Sequence, residues 1–164
     1  MIPQFEGLTE AEKKLMYDSI PLIAVYIAGA DGKIDKSEIE WAGKITKIRS
    51  FSYHEDLKGF YADLSETYSV KLEGFIASLP NEVDARTVAI EEKLAGINAI
   101  LAKLDINFAA RFYKTLLSFA KHVAKASGGI FGFGSISRSE EALLGLDFIN
   151  PVVVDEVEEE DDEL

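Results

Sequence analysis

The stretch VDARTVAIEEKLAGINAILAKL, Val83 to Leu104, decides the fold class. Its apolar residues Ile90, Leu94, Ile97, Leu101 and Leu104 step by four, three, four and three. That spacing lays one apolar seam along an α-helix, coiled-coil-like but too short for a long coiled coil. A short link, DIN (Asp105 to Asn107), leads into Phe108, Phe112, Leu116, Phe119 and Val123, again on one helical face. The two segments predict long helices joined as an antiparallel hairpin.

The same period runs outward in both directions. Thr9-Glu10-Ala11-Glu12 is a capping box, in which the Thr hydroxyl and the Glu carboxylate satisfy each other's backbone N–H groups. Leu15, Met16, Ile20, Ile23, Ala24 and Ile27 follow at helical spacing. Pro21 falls inside that pattern and removes a helical N–H, which predicts a kink or a break into two helices. Asp35 to about Ser50 reads as the next helix, with Ile39, Trp41, Ala42 and Ile45 as its apolar face. Ser52-Tyr53-His54-Glu55 matches a second capping box and opens a helix through Tyr61 and Leu64. A separate piece, about Ser69 to Leu79, stops before Pro80. Beyond a Gly-rich loop, a helix is expected from about Arg138 to Phe148, and then NPVVV extends or docks on the body. No period-two strand appears. The expectation is an all-α single bundle of roughly six to eight helices over residues 1–154, followed by an acidic, disordered tail over 155–164.

Composition narrows the function classes. Hydrophobic residues form 48% of the 164, enough for a folded core and against a disordered chain. There is no cysteine, which excludes disulfides, thiolate metal sites and cysteine nucleophiles. The start, MIPQFEGLTEAEKK, has no basic and apolar leader, and the longest apolar run, IPLIAVYIA, is far short of a membrane span. A cytoplasmic protein without membrane insertion is the expectation. The terminal DDEL resembles a retention signal of the endoplasmic reticulum, but it lacks the leader such a signal needs. The tail Asp155 to Glu163 holds eight acids, and without it the net charge falls in size from −12 to −4. The body is therefore mildly acidic, with no basic patch in sequence, and nucleic acid is not an expected partner.

A second stretch, GADGKIDKSEIE (Gly29 to Glu40), carries the functional question. As the end of an EF-hand loop it would use Asp31, Asp35 and Glu38 as carboxylate ligands. Ile27 and Gly29 would then stand at the first two ligand positions and bring no side-chain oxygen. Calcium takes about six to eight oxygens, so this stretch alone does not make a calcium loop. The competing reading is structural. Asp-Gly is a turn dipeptide, and Asp35 with Glu38 three residues on makes another capping box.

The stretch has a second copy. IAVYIAGADG precedes KIDKSEIEWAGKI, and FAKHVAKASGG precedes SISRSEEALLGLDFI near the C-terminus. Ile34 matches Ile136, Ser37 matches Ser139, Glu38 matches Glu140, and Asp35 becomes Ser137, an exchange that keeps an N-cap and loses a ligand. AGADGKIDKSEIEWAGKI resembles the first half of the tellurite-resistance TerB-like family of bacterial proteins, and the degenerate copy resembles its second half. The resemblance spans roughly residues 9–149, with Asp31, Gly32 and Glu38 matching the family pattern and Ser127 standing where an Asp is expected. It implies an all-helical, internally duplicated fold. It also implies a role in stress or metal-ion response, with divalent-metal binding near acidic residues and membrane-associated partners. Since no residues assemble a nucleophile with a base, a non-enzymatic role is the expectation.

Two readings of the acids follow. In one, the two copies pack together and Asp31, Asp35, Glu38 and Glu140 converge on one hard cation, Mg²⁺, Mn²⁺ or Ca²⁺. In the other, these acids are turn and cap residues of a protein–protein interaction module. Contact with a partner is then expected through the Gly-rich loop carrying Phe131 and Phe133, or through the acidic tail. That loop has four glycines between Gly128 and Gly134, but a helix precedes it and no Lys-Ser/Thr ends it, so it does not read as a phosphate loop. His54 and His122 belong to no metal or catalytic motif and read as surface or cap-side residues.

Overall fold

Helix α1, Glu10–Ala28, is the axis of the molecule. The computed structural model describes residues 1–127 and 138–154. Every α1 residue from Asp18 to Ala28 is buried. A helical stretch buried around its whole circumference must be enclosed by others, and among the described residues α1 is touched by all six of the other helices. These are α2 (Lys36–Arg49), α3 (Glu55–Ser78), α4 (Val83–Ala95), α5 (Ile97–Leu101), α6 (Ile106–Ser127) and α7 (Arg138–Leu143). A short 3₁₀ turn, Pro3–Phe5, precedes α1. Among the described residues there is no strand, and the all-α bundle expected from the sequence is what forms.

The capping box of Thr9 and Glu12 is present as expected, with the Thr9 N–H donating to the Glu12 carboxylate at 2.9 Å. The break expected at Pro21 is absent, and α1 runs through it. The missing N–H and ring clash cost about 3 kcal/mol in an ordinary helix. Here the enclosure of Ile20, Leu22, Ile23, Val25 and Ile27, all at 1% exposure or less, outweighs that local cost.

Three other boundaries differ from the expectations. The two pieces expected between His54 and Leu79 are one helix, α3, because Leu64, Tyr68 and Leu72 continue the buried stripe across the supposed gap. Its N-cap is His54, whose Nδ1 accepts the Asp56 N–H at 3.4 Å, and not Ser52. The seam of Ile90, Leu94, Ile97 and Leu101 is buried, but Gly96 divides it into α4 and α5. The expected hairpin of α4 with α6 is also replaced. The seam packs on α1, while α6 packs on α1 and α2. Asp105 caps α6, accepting the N–H groups of Asn107 and Phe108 at 3.0 and 3.1 Å.

The C-terminal helix is shorter than expected, since α7 ends at Leu143 and Leu146 turns the chain with φ of +44°. The following segment docks. Asn98 on α5 donates to the Phe148 carbonyl at 2.8 Å and accepts the Asn150 N–H at 2.7 Å. Where α2 has fourteen residues, its expected counterpart α7 has six. The second copy of the turn, the loop with Phe131 and Phe133, and the acidic tail lie outside the described residues.

Candidate functional site

The Asp31 turn is built by backbone bonds that close α1 and open α2. The Ala30 N–H donates to the Ile27 carbonyl at 3.1 Å, and the Gly32 N–H to the Gly29 carbonyl at 3.2 Å. Gly32 has φ of +114°, a conformation that glycine adopts without a side-chain penalty. Asp35 ties the turn back to α1 by donating its N–H to the Ala28 carbonyl at 3.0 Å. Asp31 itself is exposed and accepts the Lys33 N–H at 3.4 Å, a long Asx-turn contact.

Asp35 is the N-cap of α2. One carboxylate oxygen, Oδ1, accepts the Ser37 N–H at 2.8 Å, the Ser37 hydroxyl at 2.6 Å and the Glu38 N–H at 3.1 Å. The capping half of the expected box is therefore in place, while the Asp35 N–H goes to Ala28. The Ser37 hydroxyl first, then the Glu38 and Ser37 N–H groups, hold the Asp35 carboxyl below its ordinary pKa. Glu38 is 2% exposed, so it is a buried acid on the first turn of α2 and not a solvated one.

This gives a stability prediction. Asp35→Ala is expected to cost about 1 kcal/mol in urea unfolding, whereas Asp35→Ser keeps a capping oxygen and stays close to wild type. The folded pKa of Asp35 lies below the unfolded one, so its ionised contribution is complete above the unfolded value. It is lost as the pH falls through the folded value. The advantage of wild type over Asp35→Ala should shrink at that acid end, and the Asp35→Ser advantage should not follow it.

A cation already sits at the turn. Arg86 on α4, 5% exposed, donates from Nη2 to the Gly29 carbonyl at 2.8 Å and from Nη1 to the Asn81 carbonyl at 3.0 Å. A guanidinium at the C-terminal end of α1 answers the orphan carbonyls and negative dipole end there. Gly29 makes room for it, because a Cβ at that position would lie 2.8 Å from Nη2. A Cβ added at Gly32 would lie 3.6 Å from Val83, on the same helix as Arg86.

Of the four sequence-predicted ligands, Asp31, Asp35 and Glu38 lie on this turn and the start of α2. Among the described residues, no three or more of His, Cys, Asp and Glu are grouped to hold a metal ion. Glu140 lies in α7, which packs on α1, and its side chain is outside the described residues. Of the two histidines, both expected at the surface or beside a cap, His54 is itself the N-cap of α3, and His122 is buried within α6.

The structure also assembles two polar clusters that no sequence motif marks. One surrounds Arg49, the last residue of α2, at 1% exposure. Its Nη1 donates to the Tyr61 hydroxyl at 2.9 Å and to the Thr115 hydroxyl and carbonyl at 3.0 and 3.2 Å. Its Nη2 donates to the Ser118 hydroxyl at 2.6 Å. The Tyr53 ring lies 4.5 Å from the guanidinium carbon, within cation–π range. The available signal was a cation continuing the buried positions Ala42 and Ile45 at helical spacing. The second cluster centres on Asp18, a 5% exposed acid within the apolar run of α1. It pairs with Lys14 one turn back and with Lys71 of α3 at 2.5 Å.

No protein-family model, no curated protein and no solved structure matches this chain.

Proposed function

We propose that this chain is a non-enzymatic, TerB-like helical domain that serves a stress or metal-ion response by binding a protein partner. In this reading the acids of the Asp-Gly turn are architectural. One observation carries it: the turn holds its own cation, since Arg86 is seated on the Gly29 carbonyl two residues before Asp31. The guanidinium already answers the end of α1, and Asp35 has committed one oxygen to three donors. The partner contact is assigned to the segment carrying Phe131 and Phe133 or to the acidic tail.

A second reading keeps the divalent cation, because Asp31 is exposed and spends its carboxylate on a single 3.4 Å contact. Titration calorimetry with Mn²⁺, on wild type and Asp31→Asn, separates the two. The architectural reading expects no saturable heat at millimolar metal in either protein. Saturable heat in wild type that disappears in Asp31→Asn would replace it with the metal reading.

A further inference from the structure

We propose that the cleft between α1 and α3 is a binding site for a small oxyanion, a carboxylate or a phosphate with at most a small apolar body. The cleft has a volume of about 350 Å³ and is lined by Lys13, Lys14 and Tyr17 from α1 and by Asp63, Thr67 and Lys71 from α3. That volume is at the small end of ligand sites. Successive helical turns bring Lys13, Lys14 and Tyr17 onto one side, and Asp63, Thr67 and Lys71 face them from the other.

The charges in the cleft do not cancel evenly. Lys13 pairs with Glu10 at 2.8 Å, and Asp63 accepts the Tyr17 hydroxyl at 2.7 Å and meets the Met1 amino group at 2.7 Å. Asp18 differs. Its two oxygens each take one ammonium, Lys14 on Oδ2 and Lys71 on Oδ1, so two cations share one anion. The carboxylate is buried, with 7% of its side chain exposed, the Lys71 side chain is 23% exposed, and the Lys14 side chain is 69% exposed. Each ammonium has three donors and spends one on Asp18. Lys14 and Lys71 both line the cleft, and their remaining donors carry the excess positive charge. An oxyanion there completes an alternating arrangement of two cations and two anions. The lysine stems and the Tyr17 ring supply apolar walls for a small substituent. The basic pair is invisible in the sequence, because Lys14 and Lys71 are brought together only by the packing of α3 on α1.

This site shares no residue with the Asp31 turn and does not rest on the reading given to that turn. The probes are inorganic phosphate and phenyl phosphate, titrated against the full chain by amide-detected NMR. Saturable shifts at millimolar concentration, centred on Lys14, Thr67 and Lys71, are expected for both. A tighter phenyl phosphate places an organic anion in the cleft, and equal affinities place free phosphate there. Lys71→Met removes the excess cation and should weaken binding about tenfold, the scale of one charge-assisted contact. Asp18→Asn removes the competing carboxylate and should tighten binding by a similar factor. A purely structural ion pair predicts no such reversal of sign. Lys44→Met, on α2 and outside the cleft, should change nothing. If Asp18→Asn does not fold, Lys14→Met carries the same prediction as Lys71→Met. Shifts that fail to saturate, or affinities unchanged in both lysine variants, overturn the proposal.

Discussion

Replacing Arg49 by alanine is expected to destabilise the fold by about 3–5 kcal/mol, more than any surface charge would. The Arg49 guanidinium is the joint of α2, α3 and α6, bonding Tyr61 of α3 and both Thr115 and Ser118 of α6. Truncation removes those bonds, and a buried hydroxyl left without a partner costs roughly 1–3 kcal/mol. Tyr61 and Thr115 retain each other through a 2.8 Å bond, and Thr115 retains Tyr53 at 3.0 Å, so the penalty falls most heavily on Ser118. The cavity left among Tyr53, Tyr61 and Phe119 adds to it. For a chain of this size each kcal/mol lowers the melting temperature by about 2–4 °C, so a fall of roughly 6–20 °C is expected.

Two further substitutions separate charge from packing. Arg49→Lys keeps the charge but not the planar fork, and it cannot reach three hydroxyls at once, so it should remain clearly destabilised. Arg49→Met fills most of the volume without burying a charge and should lose less than the alanine variant. A melting temperature for Arg49→Ala within about 2 °C of wild type would show that the network is not a joint of the fold.

How much of this was readable in advance depended on the distance over which each feature is decided. Thr9 with Glu12, Asp35 as a cap and the Ile90–Leu101 seam are settled within a few residues, and the sequence states them openly. Pro21 misleads because its local penalty is real but is outweighed by six surrounding helices that no local window contains. The pairing of the α4 seam with α1 in place of α6 is of the same kind, because an apolar face does not name its partner. At the candidate sites, the Asp-Gly turn was legible as a turn, and Gly32 does have the positive φ it requires. The cation that occupies it was not legible. Arg86 lies 57 residues from Gly29, and a lone Arg on a mixed helix carries no mark of where it will point. Arg49 did leave a trace, a charged residue at a core-facing position, as Thr115 and Ser118 do among the apolar residues of α6.

Arg86→Ala is expected to cost about 2–4 kcal/mol and to couple to Gly29 in a double-mutant cycle. The side chain bridges two backbone carbonyls, Gly29 at the end of α1 and Asn81 before α4, and so fastens one helix to the entrance of another. Its loss leaves both carbonyls without that donor and empties a buried space. Gly29→Ala attacks the same contact from the other side. The new Cβ would stand 2.8 Å from Nη2 and 3.1 Å from Nε, so the guanidinium must leave its seat, and 2.9 Å from the Val25 carbonyl, a clash that remains in any background. Each single variant therefore breaks one shared contact. In the Arg86→Ala background the side-chain clash is gone, and Gly29→Ala should cost less than it does alone, by about 1 kcal/mol or more. Strict additivity would mean that Arg86 does not hold the turn. The same variant also bears on function. If Asp31 is a metal ligand suppressed by the neighbouring guanidinium, removing that charge should raise Mn²⁺ affinity, and Asp31→Asn should abolish the gain. If the turn is architectural, Arg86→Ala loosens the junction of α1 with α4 and leaves metal binding as it was. Stability and metal affinity then move independently, which the metal reading does not allow.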